Sequence, residues 1–211
     1  MKNDQTLDMN AASAPAYGKG GMVILDRVRT HLITATIRRQ MPKTDGPPTM
    51  LDIGCGYNAT HLLANYPAIA EGWGIDLEIS PECKSQAKLK FREGDIEASL
   101  TSLPQSHFDV ILFISVLEHL MNPQAALEEC FRVLKPGGVL LLNVPTWWAK
   151  PVLEMSAFRL GTSTSSSIED HKTYYDKRDL WPMLRRAGFI PSRIRLKYQF
   201  FGMTLFGVIR K

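Results

Sequence analysis

The chain has 211 residues, a length that suits one α/β domain. With 45% apolar and 22% charged residues it has an ordinary globular balance, which excludes disordered and fibrous classes. The net charge of +4 is uneven: no acid follows Asp179, whereas Arg185, Arg186, Arg193, Arg195, Lys197, Arg210 and Lys211 do.

Met1 to Gly20 is polar, with no continuous apolar stretch of the kind an export signal needs. Met22 to Gln40 carries apolar residues at helical spacing (Ile24, Val28, Leu32), and Pro42 to Pro48 then breaks the chain. From Thr49 apolar strands alternate with amphipathic helices. Strands are predicted at Met50–Ile53, Gly72–Ile75, Lys88–Arg92, Phe108–Ser115 and Val139–Asn143. Helices are predicted at Asn58–Asn65, at Ser80–Ala87 behind a Ser-Pro start, and after Asn122-Pro123, where Ala126, Leu127, Cys130, Phe131 and Leu134 form one stripe. Such alternation builds a parallel sheet covered on both faces. The rhythm fails between Pro145 and Tyr175, where Trp148, Val152 and Met155 suit a small helix and Gly161–Ser167 a loop. A last helix follows at Lys177–Ala187, capped by Asp176, stopped by Gly188 and kinked by Pro182. Two strands close the chain near Arg193–Tyr198 and Phe200–Ile209. The first of these alternates basic and apolar residues, as a half-exposed edge strand does, so the basic tail reads as a solvated face before it reads as a nucleic-acid surface.

No apolar run approaches the ~20 residues of a membrane span; the longest, Val110–Leu117, is far shorter. Cys55, Cys83 and Cys130 are an odd number with no metal-ligand spacing, which suits a reducing, cytoplasmic setting.

Chemistry concentrates in Leu51-Asp-Ile-Gly-Cys-Gly-Tyr-Asn-Ala59, a glycine turn between strand and helix. Gly54 and Gly56 allow close backbone approach, and the following helix offers free N–H groups. Asp76 ends the next strand, 22 residues beyond Gly54, where an acid can hold both ribose hydroxyls of any adenosine cofactor. Asp52 separates the candidates. Beside a pyrophosphate its carboxylate would repel, which disfavours NAD; beside an ammonium and a sulfonium it attracts. Read structurally, it is an acid at a strand end.

These residues, together with Gly74-Ile-Asp76, Glu93-Gly-Asp-Ile96, Phe108-Asp-Val-Ile-Leu-Phe-Ile-Ser115, Val116-Leu-Glu-His119 and Arg132-Val-Leu-Lys-Pro-Gly-Gly138, resemble the class I S-adenosylmethionine-dependent methyltransferases. Within them the likeness is to the quinone and small-molecule subgroup, close over Met50–Pro145 and loose over the last third. The resemblance implies a Rossmann-like, seven-stranded, mostly parallel sheet with the last strand antiparallel and helices on both faces. It gives Asp52, Gly54, Cys55 and Gly56 to the methionine portion, Asp76 and Leu77 to the ribose, Asp95 to the adenine amino group with Ile96 beside the ring, and Ser115 to the methionine end. Asn58 stands where the family usually has a third glycine, and asparagine is the residue next most tolerant of positive φ.

A hydroxyl acceptor benefits from a general base, and the candidates are His119 and His171; a histidine often precedes the last helix in the family. His119 can equally be a helix-end histidine bonded to backbone. Relatives that bind a metal here use two acids and a histidine. Glu118 and His119 are present, but Ser115 stands at the earlier acid position, so no metal is expected. The tryptophans Trp147, Trp148 and Trp181 suit an acceptor pocket or plain packing.

The expectation is one methyltransferase domain over 1–211: an N-terminal segment and helix (1–48), a cofactor core (49–145), a lid over the acceptor (146–176), and a C-terminal helix and strands (177–211). It would transfer a methyl from S-adenosyl-L-methionine to a small-molecule acceptor, at oxygen, leaving S-adenosyl-L-homocysteine. No nucleic acid and no membrane insertion are expected, and the chain would act as a monomer or homodimer. An RNA methyltransferase and a non-catalytic S-adenosylmethionine-binding protein are the alternatives.

Overall fold

The computed structural model describes residues 21–43, 45–148 and 173–211. The described helices are α1 (Gly21–Gln40), α2 (Thr60–Asn65), α3 (Pro81–Lys84), α4 (Ile96–Thr101), α5 (Pro123–Val133) and α6 (Lys177–Arg186). The strands are β1 (Thr49–Ile53), β2 (Glu71–Asp76), β3 (Leu89–Glu93), β4 (Phe108–Ile114), β5 (Leu134–Pro145), β6 (Ile194–Gln199) and β7 (Thr204–Arg210). They form one seven-stranded sheet in the order β3-β2-β1-β4-β5-β7-β6. β1 to β5 pair in parallel, and β7 runs antiparallel to both β5 and β6. This is the expected sheet.

Chain order reverses at the centre, where β1 sends the chain one way to β2 and β3 and β4 then starts on its other side. Open α/β sheets bind ligands in the crevice at such a point, outside the carboxyl ends of the strands. The central strands are apolar on both faces because both are covered. One face carries Leu51, Ile53, Ile111, Phe113, Leu140 and Leu142 with α5 and α6; the other carries Met50, Val110, Leu112, Leu141 and Phe206 with α1 and α2. At the amino end of the sheet the Asp109 carboxylate receives the Thr49 amide, the Thr49 hydroxyl and Lys135 Nζ, each at 2.8 Å. Burial works against its charge, but these donors hold it below the usual carboxylate range.

Several elements differ from the sequence expectation. The strand expected from Phe200 begins only at Thr204, because Phe200 and Phe201 are left-handed and form a 3-10 turn with Gly202, and α3 stops at Lys84, short of the expected Ala87. Helix α4 was not foreseen: at six residues it is too short for a 3.6-residue period to stand out, and its start is marked by Asp95, whose side chain accepts from Ala98 N. Helix α2 begins at Thr60, two residues late, because Ala59 takes the left-handed conformation (φ 41°, ψ 45°). Positive φ was expected at Asn58; it falls on Ala59 instead. Strand β5 starts directly after α5, with a register shift against β4 between Phe108 and Val110, so Lys135-Pro-Gly-Gly138 lies inside a strand rather than in a loop. Helix α6 does form behind Asp176, as a full capping box with Asp179, and continues through Pro182 to Arg186. β6 is an edge strand with Ile194 buried and Arg195 and Lys197 exposed, as its alternation implies. Among the described residues no helix is long and apolar enough to cross a membrane.

Candidate functional site

The carboxyl ends of β1, β2 and β3 are tied together through the glycine turn. Gly54 N and Cys55 N both donate to Ile75 O, at 2.8 and 3.1 Å, which folds the turn over the end of β2. Gly54 sits at φ +68°, and a Cβ there would lie 2.2 Å from Val116 Cγ2, so neither the backbone nor the space admits another residue. Gly56, at φ +73°, faces open space, with nothing within 4 Å of where a Cβ would be.

Asp76 closes the turn from the β2 side. Its Oδ2 accepts from Gly56 N at 2.7 Å and its Oδ1 from Leu77 N at 2.8 Å. A carboxylate has about four acceptor positions, so each oxygen retains capacity. Leu77 beside it is 75% exposed. Gly94 N donates to Asp76 O and Ile79 N to Glu93 Oε1, both at 2.9 Å, which draws β3 into the same cluster.

Asp95 stands at the exposed end of that strand. Its Oδ1 accepts from Ala98 N at 2.8 Å, so the residue expected to read an adenine also caps α4. Ile96 beside it is half-buried.

Asp52 is 1% exposed, and its Oδ2 has no hydrogen-bond partner. Burial first, and the Asp76 charge second, push its carboxyl up to about 8. A buried acid in that condition lacks a cation. The same burial pushes the Cys55 thiol up from its ordinary value, so Cys55 packs rather than reacts.

Beyond β4 the chain is strained. Ser115 is left-handed at φ 57°, and its N–H donates to Asn143 O at 2.8 Å, tying the end of β4 to β5. A turn of 3-10 helix, Leu117–His119, follows, in which Glu118 is buried and His119 half-exposed. Tyr175 packs against this turn: its N–H donates to Pro145 O at 3.1 Å, and it is 2% exposed. Burial, then the Glu118 charge, push its hydroxyl up to about 12, so it stays protonated. Trp147 and Trp148 are exposed just past β5, with the Tyr174 ring 5.4 Å from Trp147. Trp181 is instead on α6, lining a groove with Lys177, Arg178 and Leu196 beside β6.

The structure therefore gathers Asp52, Gly54, Cys55, Gly56, Asp76 and Leu77 around one turn, with Asp95 and Ile96 at the next strand end and Ser115 and His119 past β4. His171, the Gly161–Ser167 loop and the expected helix around Val152 and Met155 lie outside the described residues. Among the described residues no three His, Cys, Asp or Glu side chains form a group that could hold a metal ion. Sequence reasoning missed Tyr175, and it missed Asn143, a fully buried amide on β5 whose one signal was its place between Leu142 and Val144.

A family model described as "Methyltransferase domain" matches residues 25–190. The ubiquinone biosynthesis O-methyltransferase of Pseudomonas putida (strain W619) is 32% identical over 44% of this chain and 43% of its own length. That of Pseudomonas fluorescens (strain SBW25) is 31% identical over the same shares. The matched region thus spans less than half the length of these relatives. Among solved structures, a SAM dependent methyltransferase from Archaeoglobus fulgidus aligns with TM-score 0.64 at 17% identity, over 90% of this chain and 99% of that one. The phosphoethanolamine N-methyltransferase 2 of Haemonchus contortus, solved with S-adenosyl-L-methionine, aligns with TM-score 0.60 at 17% identity, over 80% of this chain and 38% of that one. At these identities the likeness is one of fold.

Proposed function

This chain belongs to the class I S-adenosylmethionine-dependent methyltransferases, and from that premise we propose that it transfers a methyl group to a small-molecule acceptor, at oxygen. The observation that carries the reading is Asp52, an acid held buried with an oxygen unpartnered at the foot of the glycine turn. A cationic amino-acid group completes such a site, and a pyrophosphate does not.

The residues fit S-adenosylmethionine in other respects. Gly56 leaves an open cradle that any Cβ would fill. Asp76 has spare acceptor capacity for ribose hydroxyls beside its two backbone bonds. The second oxygen of Asp95 is left for an adenine amino group, and Leu77 and Ile96 supply apolar cover. When bound, the cofactor supplies a methyl group made electrophilic by a sulfonium. The protein's own part is to align the acceptor oxygen, exclude water and take a proton. His119, half-exposed past β4, is the described candidate for the proton, and Tyr175, held protonated, donates its hydroxyl to Leu117 O of the same turn at 3.5 Å. Ser115 borders the methionine end.

The acceptor class rests on the names of the curated relatives and on the apolar rim of Trp147 and Trp148. The basic residues behind an RNA reading sit at the end of α6 (Arg185, Arg186), on the edge strand β6 (Arg195, Lys197), just before it (Arg193) and at the end of β7 (Arg210, Lys211), away from the glycine turn. Calorimetry tests the cofactor: S-adenosylhomocysteine should bind and NAD should not. Transfer of labelled methyl to a panel of small phenols tests the acceptor, and transfer to tRNA in place of phenols would overturn it.

A further inference from the structure

Asn143 is fully buried, yet neither its Nδ2 nor its Oδ1 has a hydrogen-bond partner. Buried side-chain amides are nearly always satisfied, so an amide orphaned at both atoms needs a reason. Its place suggests one. Asn143 lies opposite Ile114 on β4 and Phe206 on β7, near the carboxyl end of β5. Alternation along β5 puts it on the face of Leu141, the same face that carries Asp52 on β1. Thr204 lies on that face of β7, diagonal to Asn143 across the ladder at a Cα spacing of about 7–8 Å, and its buried Oγ1 also lacks a partner. The backbone of Asn143 is pinned by the strained Ser115.

We propose that Asn143 is an acceptor-anchoring residue: its amide, with the Thr204 hydroxyl, is kept free for neutral oxygen substituents of the methyl acceptor. The proposal rests on the methyl-transfer reading and narrows its substrate. Asn143 lies two strands from β1, about 10 Å across the sheet from the glycine turn, and beside Ser115, which borders the methionine end and donates its N–H to Asn143 O. An amide offers one donor edge and one acceptor edge and no charge. A hydroxyl satisfies Oδ1, an ether or carbonyl oxygen satisfies Nδ2, and the threonine hydroxyl serves either. The neighbours on that face, Leu112, Ile114, Leu141 and Phe206, are apolar and bring no cation, so phosphorylated and carboxylated groups are disfavoured at this point.

The test compares the parent with Asn143→Leu and the isosteric Thr204→Val, all saturated with S-adenosylhomocysteine. Replacing an unpartnered polar group by an apolar one of similar shape should leave Tm unchanged or raise it by about 2–4 °C. Affinity for S-adenosylhomocysteine should stay within twofold of the parent. Binding of 2-methoxyphenol, a neutral probe with adjacent hydroxyl and ether oxygens, read by saturation-transfer NMR, should weaken at least tenfold in Asn143→Leu and less in Thr204→Val. A clear fall of Tm in both variants would mean that the amide is satisfied structurally, by buried water for instance, and would overturn the proposal. So would a tenfold loss of S-adenosylhomocysteine affinity, which would place Asn143 in the cofactor site, or a parent that ignores 2-methoxyphenol. A parent that binds no S-adenosylhomocysteine sinks the methyl-transfer reading instead, and the Tm comparison still decides whether Asn143 is structural.

Discussion

Asp52 couples the site to pH. Its folded-state value of about 8 stands above the ordinary 3.8 of an unfolded chain. Between those values the folded protein holds a proton that the unfolded chain gives up, so stability falls as pH rises across that window and levels off above it. A cationic ligand reverses the preference by stabilising the ionised acid. Affinity for S-adenosylhomocysteine should therefore rise from pH 6 to 8, by at most about tenfold per unit, with proton release seen as buffer-dependent heat in calorimetry. Asp52→Asn should flatten both slopes, and an unchanged pH dependence in that variant would show that another group governs it. His119 gives a second prediction at this scale. If it takes the acceptor proton, His119→Ala should lower turnover by about 10²–10⁴ while S-adenosylhomocysteine binds as before. Equal losses of stability and turnover would make it a structural histidine.

Short connections do as much as the strands to shape the site. Gly54 and Val116 join the loops after β1 and β4 in one contact. Gly54→Ala should cost about 2–4 kcal/mol, from the clash and the positive φ together. Val116→Ala placed in that background should recover the clash but not the backbone strain. Urea unfolding of the two singles and the double reads the coupling, and strict additivity would deny the contact. Asp95 has two jobs and can be divided. Asp95→Ala should lose about 1 kcal/mol of stability with the α4 cap. Asp95→Ser keeps a capping oxygen and so should keep Tm, while S-adenosylhomocysteine binds roughly ten- to a hundredfold more weakly if the carboxylate reads the adenine. A serine variant that binds as tightly as the parent would leave Asp95 a cap and nothing more. This is also where reading from sequence ran out. A six-residue helix and a left-handed alanine leave no periodic trace, and Ala59, whose N–H donates to Gly56 O, closes a turn that Asp76 holds from another strand.

For the whole molecule, β4 and the later part of β5 were legible because both faces of the sheet are buried there and continuous apolar runs announce it. The glycine turn and Asp76 were legible because a positive φ and a strand-end acid are carried by single residue types. Asn143 was not, since nothing local distinguishes a satisfied amide from an orphaned one. The pattern of burial also sets where the fold opens. Buried β4 should exchange its amides only through global unfolding, whereas β6, exposed at alternate residues along an edge, should exchange through local opening. Hydrogen-exchange mass spectrometry checks the ranking, and equal protection of the two strands would contradict it.

The place of β7 between β5 and β6 bears on how the chain is made. β5 pairs with β4, its near neighbour in sequence, and with β7, which comes late. On the ribosome the first five strands can assemble around the glycine turn while β5 still shows an unpaired edge rich in valine and leucine. That edge stays open until the β6–β7 hairpin emerges and inserts. A nascent chain stalled before Thr204 would thus have its glycine turn in place and a sticky strand beside it, the kind of intermediate that chaperones hold.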